Sequence, residues 1–231
     1  MSDTYSIVVK IEDEKRAELA QDGYTLTVFK AIETDIVASP KNVGPTVWFS
    51  DSKLSAQTTI SWEQTLQAYY SDTTYGSGVE ITHRTTRPVN IGQGMEIKEW
   101  EPGLEDMKRN TEYDQQDWIQ IRNSLSQDFT IGLEQVRAEG SGQVSAPMCA
   151  FRAIDKSSRI MRPINKLVLV FSIGTKKVGT IMTSASTDGC LIEAGRGASP
   201  TVVTYTNKGE WDAGKTVSSS KFLQACIQQT G

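Results

Sequence analysis

Histidine and cysteine are scarce in this chain of 231 residues, and their scarcity excludes several kinds of active site. The one histidine, His83, cannot form a His-rich metal site, and no Gly-x-Ser-x-Gly sequence is present to carry a serine nucleophile. The three cysteines, Cys149, Cys190 and Cys226, are odd in number and widely spaced, which fits neither a disulfide framework nor a zinc site. The sequence therefore predicts no catalytic residue, no bound metal and no cofactor.

The chain also lacks the features of a membrane protein or a nucleic-acid-binding protein. Its longest apolar run, residues 167–171, is far shorter than the roughly 18 residues that a membrane helix needs. The formal net charge is −4, and the 24 basic residues are scattered, so no basic face is visible for binding phosphates. Residues 1–4 show neither the basic region nor the apolar run of a signal peptide. We therefore expect neither nucleic acids nor membranes as partners, and a cytoplasmic location or secretion without a signal peptide.

Short runs of β-branched or alternating apolar residues, bounded by Gly, Pro, Asn and Asp, recur along the chain and predict β-strands. The predicted strands are residues 5–11, 24–32, 46–50, 58–62, 79–83, 89–91, 95–100, 129–136, 148–154, 166–172, 179–183, 190–194 and 201–206. Short helices are predicted at residues 13–21 and 221–228, and around 115–125 inside a polar connector. The expected fold class is all-β: a β-sandwich whose two strand layers bury their apolar faces against each other.

Pieces of the first half of the chain recur in the second half in the same order, which predicts an internal duplication. Residues 28–32 match 150–154 and 49–50 match 171–172 at an offset of 122, 59–60 match 180–181 at 121, and 5–7 match 129–131 at 124. The predicted organisation is a first β unit at 1–101, a connector at 102–127 and a second β unit at 128–231. The two similar units form either two small sandwiches or the halves of one. Convergence of unrelated strands is the alternative.

The two units differ most across residues 62–75, where the first carries about 11 extra residues. We interpret this insert as a binding loop, because a sugar ring stacks on aromatic side chains while amides and carboxylates bind its hydroxyls. The predicted ligand-binding residues are Trp62, Glu63, Gln67, Tyr69, Tyr70, Asp72 and Tyr75. A planar small molecule or a lipid headgroup would suit the same groups. The alternative is that Trp62 and Tyr69 are core residues of a longer hairpin and that Tyr70 covers an edge.

Three pieces of the second half, together with residues 45–49 (PTVWF), resemble a group of uncharacterised fungal intracellular β proteins. The three pieces are residues 163–172 (PINKLVLVFS), 179–182 (GTIM) and 204–211 (TYTNKGEW). The resemblance implies a fungal source and an all-β sandwich. In style the chain is also similar to fungal cytosolic lectins and cytolysins, which are rich in β-strands, lack signal peptides and contain few histidines. That similarity implies a lectin-like, defence-related role.

These features give three hypotheses for the function. The first is a non-catalytic binding protein for a glycan or a small amphipathic ligand, because binding needs a complementary surface but no group that titrates near neutral pH. The second is a small-molecule cyclase or isomerase of fungal secondary metabolism that acts by shaping its substrate. The third is a cytolysin-like, membrane-active protein with exposed aromatic residues at one end of the sandwich. A homodimer formed through leftover edge strands is a further expectation.

Overall fold

The computed structural model describes residues 4–99, 104–106, 117–139, 142–197 and 199–229, and confirms the expected all-β sandwich. Two nine-stranded sheets pack face to face around a hydrophobic core. The first sheet contains β1 (Thr4–Ile11), β3 (Val43–Pro45), β5 (Gln57–Ser71), β6 (Thr85–Val89), β10 (Phe129–Glu139), β11 (Gly142–Pro147), β12 (Cys149–Ala153), β15 (Gly195–Arg196) and β16 (Thr201–Tyr205). The second contains β2 (Tyr24–Thr34), β4 (Phe49–Asp51), β7 (Gly94–Ile97), β8 (Leu104–Asp106), β9 (Ile119–Asn123), β13 (Ser158–Ile173), β14 (Gly189–Glu193), β17 (Lys215–Val217) and β18 (Ile227–Gln229).

Two short helices accompany the sheets over the described residues. They are α1 (Asp13–Gln21), as expected from the sequence, and α2 (Phe222–Cys226), which follows a 3-10 turn and covers part of the helix expected at 221–228. The N-terminal turn of α1 is held by the backbone N–H of Lys15, which donates to Asn207 Oδ1 at 3.2 Å. In the part of the chain that the structure describes, no helix combines the length and the apolar character needed to cross a membrane.

The strands β5 and β13 are the longest in their sheets, at 15 and 16 residues, and each changes partner along one edge. On one edge of β5, β1 pairs with residues 57–63 and β6 pairs with residues 66–70, while β10 runs along the other edge. On one edge of β13, β9 pairs with residues 158–161 and β14 pairs with residues 166–169, while β2 runs along the other. The two sheets are therefore built around the same kind of long central strand.

Each long strand bulges at the point where it changes partner. In β5, the pairing with β10 passes from Trp62 to Leu66, so that residues 63–65 stand opposite Val136 alone. The strand β13 does the same against β2, where residues 164–166 stand opposite a single residue. A bulge bends its strand and redirects the neighbouring side chains, and bulges are common beside binding sites. We call residues 63–65 the β5 bulge.

The connector and four of the predicted strands differ from expectation. The strand predicted at 46–50 is interrupted, because β3 ends at Pro45 and β4 begins at Phe49, and the strand predicted at 89–91 has only Val89 in β6. The helix predicted around 115–125 is wrong over the described residues, because β9 occupies this stretch and buries Ile119 and Ile121 with the two-residue period of a strand. Residues 107–116 lie outside the described residues. The strands predicted at 79–83 and 179–183 form only isolated bridges.

Both sheets contain strands from both predicted β units. The strand β10 of the second unit pairs with β5 of the first, and β2 of the first unit pairs with β13 of the second. The matching pieces at 28–32 and 150–154 lie in β2 and β12, which belong to different sheets. The two sheets resemble each other instead in their long central strands, β5 and β13. The duplication itself stays a prediction.

Gly132 on β10 shows how tightly the sheet packs around Tyr69, its partner on β5. The Tyr69 hydroxyl donates a 2.6 Å hydrogen bond to the backbone oxygen of Cys149. A Cβ atom at Gly132 would lie 2.1 Å from that same oxygen and 2.8 Å from the Tyr69 ring. The absence of a side chain at 132 is therefore what allows the Tyr69 ring to approach the backbone of Cys149 and bond to it.

We expect Gly132→Ala to lower the free energy of unfolding by about 3 kcal/mol, because the added methyl group clashes with backbone that cannot move aside. Urea unfolding followed by circular dichroism measures the change. Gly76→Ala is the control, since its Cβ would meet only a Val79 methyl group at 3.3 Å, and should cost less than about 1 kcal/mol. Equal stability of Gly132→Ala and the wild-type protein would contradict the packing described here.

Candidate functional site

A small pocket of about 150 Å³ opens beside the β5 bulge. Its lining comes from β1, β5, β10 and β11 and consists of Thr4, Ser61, Trp62, Glu63, Thr65, Val136, Arg137, Ala138 and Gln143. We call it the bulge pocket. It lies beside Thr4, the first described residue of β1, and before Leu66, where the pairing of β5 with β6 begins.

The rim and the floor of the bulge pocket differ in chemistry. The rim carries the exposed side chains of Thr4, Glu63, Thr65 and Gln143, which supply hydroxyl, carboxylate and amide groups. The floor carries Trp62 and Arg137, each only 2% exposed. A ligand entering from solvent would therefore meet hydrogen-bonding groups first, because the Trp62 ring below them is covered by Tyr5 and Lys30.

Trp62 belongs to a group of aromatic and cationic side chains that fills the space between the sheets. Its ring stacks on Tyr5 with centroids 6.0 Å apart and meets the edge of Trp48 at 5.3 Å. The Lys30 Nζ atom lies 4.0 Å from the Trp62 centroid and 5.4 Å from that of Trp48. The Arg137 Nε atom donates to the backbone oxygen of Trp48 at 2.9 Å. We call these five residues the cation–aromatic cluster.

The cluster also joins the irregular points of the two sheets. Lys30 on β2 pairs with Leu167, the first residue after the bulge of β13. Trp62 pairs with Arg137 directly before the β5 bulge. Because Lys30 contacts Trp62 across the interior, the two bulges lie opposite each other.

Lys30 is the most unusual residue of the cluster, because it is a lysine that is only 1% exposed. Lysine is almost never fully buried unless a partner balances its charge. Among the described residues, its contacts are the two indole rings, and no hydrogen bond or ion pair engages its amine. Burial lowers the pKa of Lys30 to about 7, although a desolvated cation–π contact favours the charged form by about 2 kcal/mol. Lys30 therefore exchanges its proton near neutral pH.

Several buried polar atoms near the bulge pocket have no hydrogen-bond partner among the described residues. They include the indole N–H groups of Trp48 and Trp62 and the Oε1 atom of Gln135. The amide nitrogen of Gln135 is satisfied, since it donates to the backbone oxygen of Glu63 at 3.0 Å. An unpaired buried polar group costs about 1–3 kcal/mol, so a bound water or ligand that paired with these atoms would stabilise the site.

The structure brings two of the predicted ligand-binding residues, Trp62 and Glu63, into the bulge pocket. The expectation that residues 62–75 form a loop is wrong, because β5 continues to Ser71. Within it, Leu66, Ala68 and Tyr70 face inward at the period of a strand. Gln67 pairs with Glu134 on β10, beyond the bulge and outside the pocket lining.

The remaining predicted residues lie elsewhere. Tyr70 is 3% exposed and packs edge-on against Phe129 in the main core, while Tyr69 is fully buried in a second, smaller cluster. Asp72 is exposed beyond the end of β5, and the Tyr75 hydroxyl donates to the backbone oxygen of Pro40 at 3.2 Å. Their burial and separation leave Trp62 and Glu63 as the expected residues that a ligand in the pocket would contact.

Sequence reasoning missed most of the residues that make the site. Lys30, Arg137 and Gln143 lie far from residues 62–75 in the sequence and reach the pocket or the cluster only through strand pairing. One signal was present: Lys30 is the single charged residue between Tyr24 and Ile32, in a strand whose other residues are apolar or threonine. A charge in such a position predicts either an edge strand or a buried ion.

The other groups that could carry chemistry are poorly suited to it. Burial raises the pKa of the Cys149 thiol to about 12 and that of Cys190 to about 11, and it raises the pKa of Cys226 as well. These thiols stay protonated at neutral pH and are weak nucleophiles. Within the described ranges, no three His, Cys, Asp or Glu side chains come together as metal ligands would.

We expect Lys30→Met to raise the free energy of unfolding at pH 7 by roughly 1–4 kcal/mol, because a buried charge is replaced by an apolar side chain of similar length. Between the folded pKa of about 7 and the ordinary lysine pKa of 10.5, the unfolded chain holds one more proton at Lys30. Stability from this residue therefore rises with pH in that window, by about 1.4 kcal/mol per unit. Urea unfolding of both proteins from pH 6 to pH 10 measures this slope as a difference between them.

The exposed residue Lys10 on β1 provides the matched control. Lys10→Met removes the same charge from the surface and should leave both the stability and its pH dependence nearly unchanged. A Lys30→Met protein less stable than the wild type at every pH would show that the amine is bound to a stabilising partner.

Comparison with known proteins supplies no relative. The chain matches no protein-family model, no curated protein and no solved structure.

Proposed function

We propose that the protein is a non-catalytic binding protein for a glycan or a small amphipathic ligand, and that one ring of the ligand occupies the bulge pocket. The observation that carries the proposal is the pocket lining, where hydroxyl, carboxylate and amide groups come together beside the buried Trp62. Sugars are recognised by such groups, because their hydroxyls both donate and accept hydrogen bonds.

The size of the pocket supports a single ring. Its volume is about 150 Å³, and a cavity of about this volume holds one benzene ring. A six-membered sugar ring is of similar size. The rest of a larger glycan or amphipathic ligand would then lie over the rim, against Glu63, Thr65 and Gln143.

Binding is favoured over catalysis by the groups near the pocket. The thiols are buried and protonated, and His83 is exposed in the chain segment between β5 and β6, outside the pocket lining. Glu63 is the carboxylate of the lining. An inverting or retaining glycosidase needs a pair of carboxylates across the scissile bond.

We expect the pocket to bind a monosaccharide from a panel that includes neutral and acidic sugars, with amide chemical shift changes at residues 61–65 and 136–143. Thr65→Val and Gln143→Leu should each weaken binding about fivefold, because a net hydrogen bond contributes about 1 kcal/mol. Both side chains are exposed, so neither variant should disturb the fold. Titration of the ¹⁵N-labelled proteins gives the dissociation constants, and a glycan array extends the panel to larger ligands.

Thr59→Val is the matched control, since Thr59 is an exposed threonine on β5 outside the pocket. It should bind as tightly as the wild type. The proposal fails if no sugar or amphipathic ligand shifts the pocket resonances, or if the shifts cluster on another face of the sandwich.

A further inference from the structure

We infer that the bulge pocket is one half of a site for an uncharged disaccharide unit, with one sugar ring in the pocket and the adjoining ring in a groove beside it. The inference rests on the proposed function and names the ligand class of the same site. Its basis is a row of small residues that crosses the first sheet and leads out of the pocket.

Strand pairing places five residues side by side across the first sheet. The row runs through β15, β1, β5, β10 and β11 and consists of Gly195, Ser6, Ser61, Ala138 and Gln143. Residues that pair directly share one face of a sheet. Tyr5 and Trp62, the chain neighbours of Ser6 and Ser61, are buried between the two sheets. Because successive residues of a strand point to opposite faces, the row lies on the outer face.

The first four members of the row form a groove, since their side chains are small or absent. The next outward residues along the strands are larger, with Thr4 and Glu63 on one side and Val8 and Val202 on the other. Val202 is 46% exposed, so its methyl groups are available to a ligand. A ring lying in this groove is held between a polar wall and an apolar wall, which suits the hydroxyls and the C–H face of a sugar.

The groove is continuous with the bulge pocket and closed at its other end. Ser61 and Ala138 also line the pocket. The groove ends at β15, where a Cβ atom on Gly195 would lie 2.1 Å from the backbone oxygen of Ser199. From Ser61 to this end it spans two strand spacings, or about 10 Å. That length leaves room for one sugar ring beyond the pocket.

Polar groups along the pocket and the groove are open to a ligand. Among the described residues, no hydrogen bond engages the hydroxyl groups of Ser6 and Ser61. Trp62 lines the pocket and is 2% exposed, and its indole N–H has no acceptor within the same part of the chain. Sugar oxygens can accept from all three groups, and the serine hydroxyls can also accept from a sugar.

The charges of the site favour an uncharged ligand. The pocket lining carries one cation and one anion, Arg137 and Glu63, and the four groove residues carry none. A charged ligand would therefore gain little net attraction while it lost hydration. A neutral disaccharide makes the same hydrogen bonds without that cost.

The test titrates the ¹⁵N-labelled full-length protein with cellobiose, maltose, lactose and chitobiose, and with glucose, galactose and N-acetylglucosamine as their monosaccharides. The hyaluronan disaccharide is the acidic probe, because it carries a carboxylate. We expect at least one neutral disaccharide to bind about tenfold more tightly than its monosaccharides, and more tightly than the acidic probe. Its binding should shift the amide signals of residues 6 and 195 together with those of the pocket.

Two substitutions of Ser6 test the placement of the second ring. Ser6→Ala should weaken disaccharide binding about fivefold, because it removes one hydrogen bond. Ser6→Val fills the groove and should reduce the disaccharide affinity to that of the monosaccharide. Neither should change monosaccharide binding, since Ser6 lies outside the pocket lining. Thr216→Val is the control, because Thr216 is an exposed threonine on β17 of the second sheet, and it should leave both affinities unchanged.

The outcomes separate this inference from the proposed function. Monosaccharides that bind as tightly as every disaccharide would overturn the inference and leave a sugar-binding pocket in place. Tighter binding of the acidic probe would overturn it as well. Wild-type disaccharide affinity in both Ser6 variants would remove the second ring from the groove, and Ser6→Ala decides this point if Ser6→Val does not fold. Failure of all the probes to bind would overturn both proposals.

Discussion

The burial of Lys30 between Trp48 and Trp62 is the contact on which the centre of the sandwich depends. Three elements meet there: the long strand of one sheet, the partner of the long strand of the other, and the segment that precedes β4. Removing an ammonium group from water costs several kcal/mol, and aromatic faces return only part of it. A protein that keeps such a residue gives up stability at this point, which is common where a buried group serves binding.

The bulges explain how the sheets tolerate this cluster. In a strand without a bulge, every second side chain points to the inner face along the whole length of the strand. Because three residues of β5 stand opposite one residue of β10, Trp62 and Leu66 stay on the same inner face but the sheet opens between them. The side chains at the floor of the pocket are therefore buried by the core, while the residues of the bulge itself remain at the surface.

Local patterns predicted much of the fold and little of the site. Alternation is short-ranged, so β1, β2 and α1 were predicted closely from their own residues. The bulge interrupts that alternation, so the sequence predicts a binding loop at 62–75, whereas in the structure β5 continues to Ser71. Tyr69 and Tyr70 are both buried, although neighbouring residues of a strand point to opposite faces. The sequence alone therefore does not show which residues cover each ring. Arg137 and Gln143 could be assigned to the site only once the pairing of β5 with β10 and of β10 with β11 was known.

The position of β1 has a consequence for how the protein is made. One edge of β1 pairs with β5, but its other edge pairs in parallel with β16, so Ile7 lies beside Thr201. A chain emerging from the ribosome has an early partner for the first edge and none for the second until β15 and β16 have been synthesised. During that interval an apolar strand edge can pair with other chains, and the exposed charge of Lys10 opposes such pairing. Completion of the first sheet thus depends on contacts between residues far apart in the sequence, and the yield of folded protein depends on how quickly β16 returns to β1.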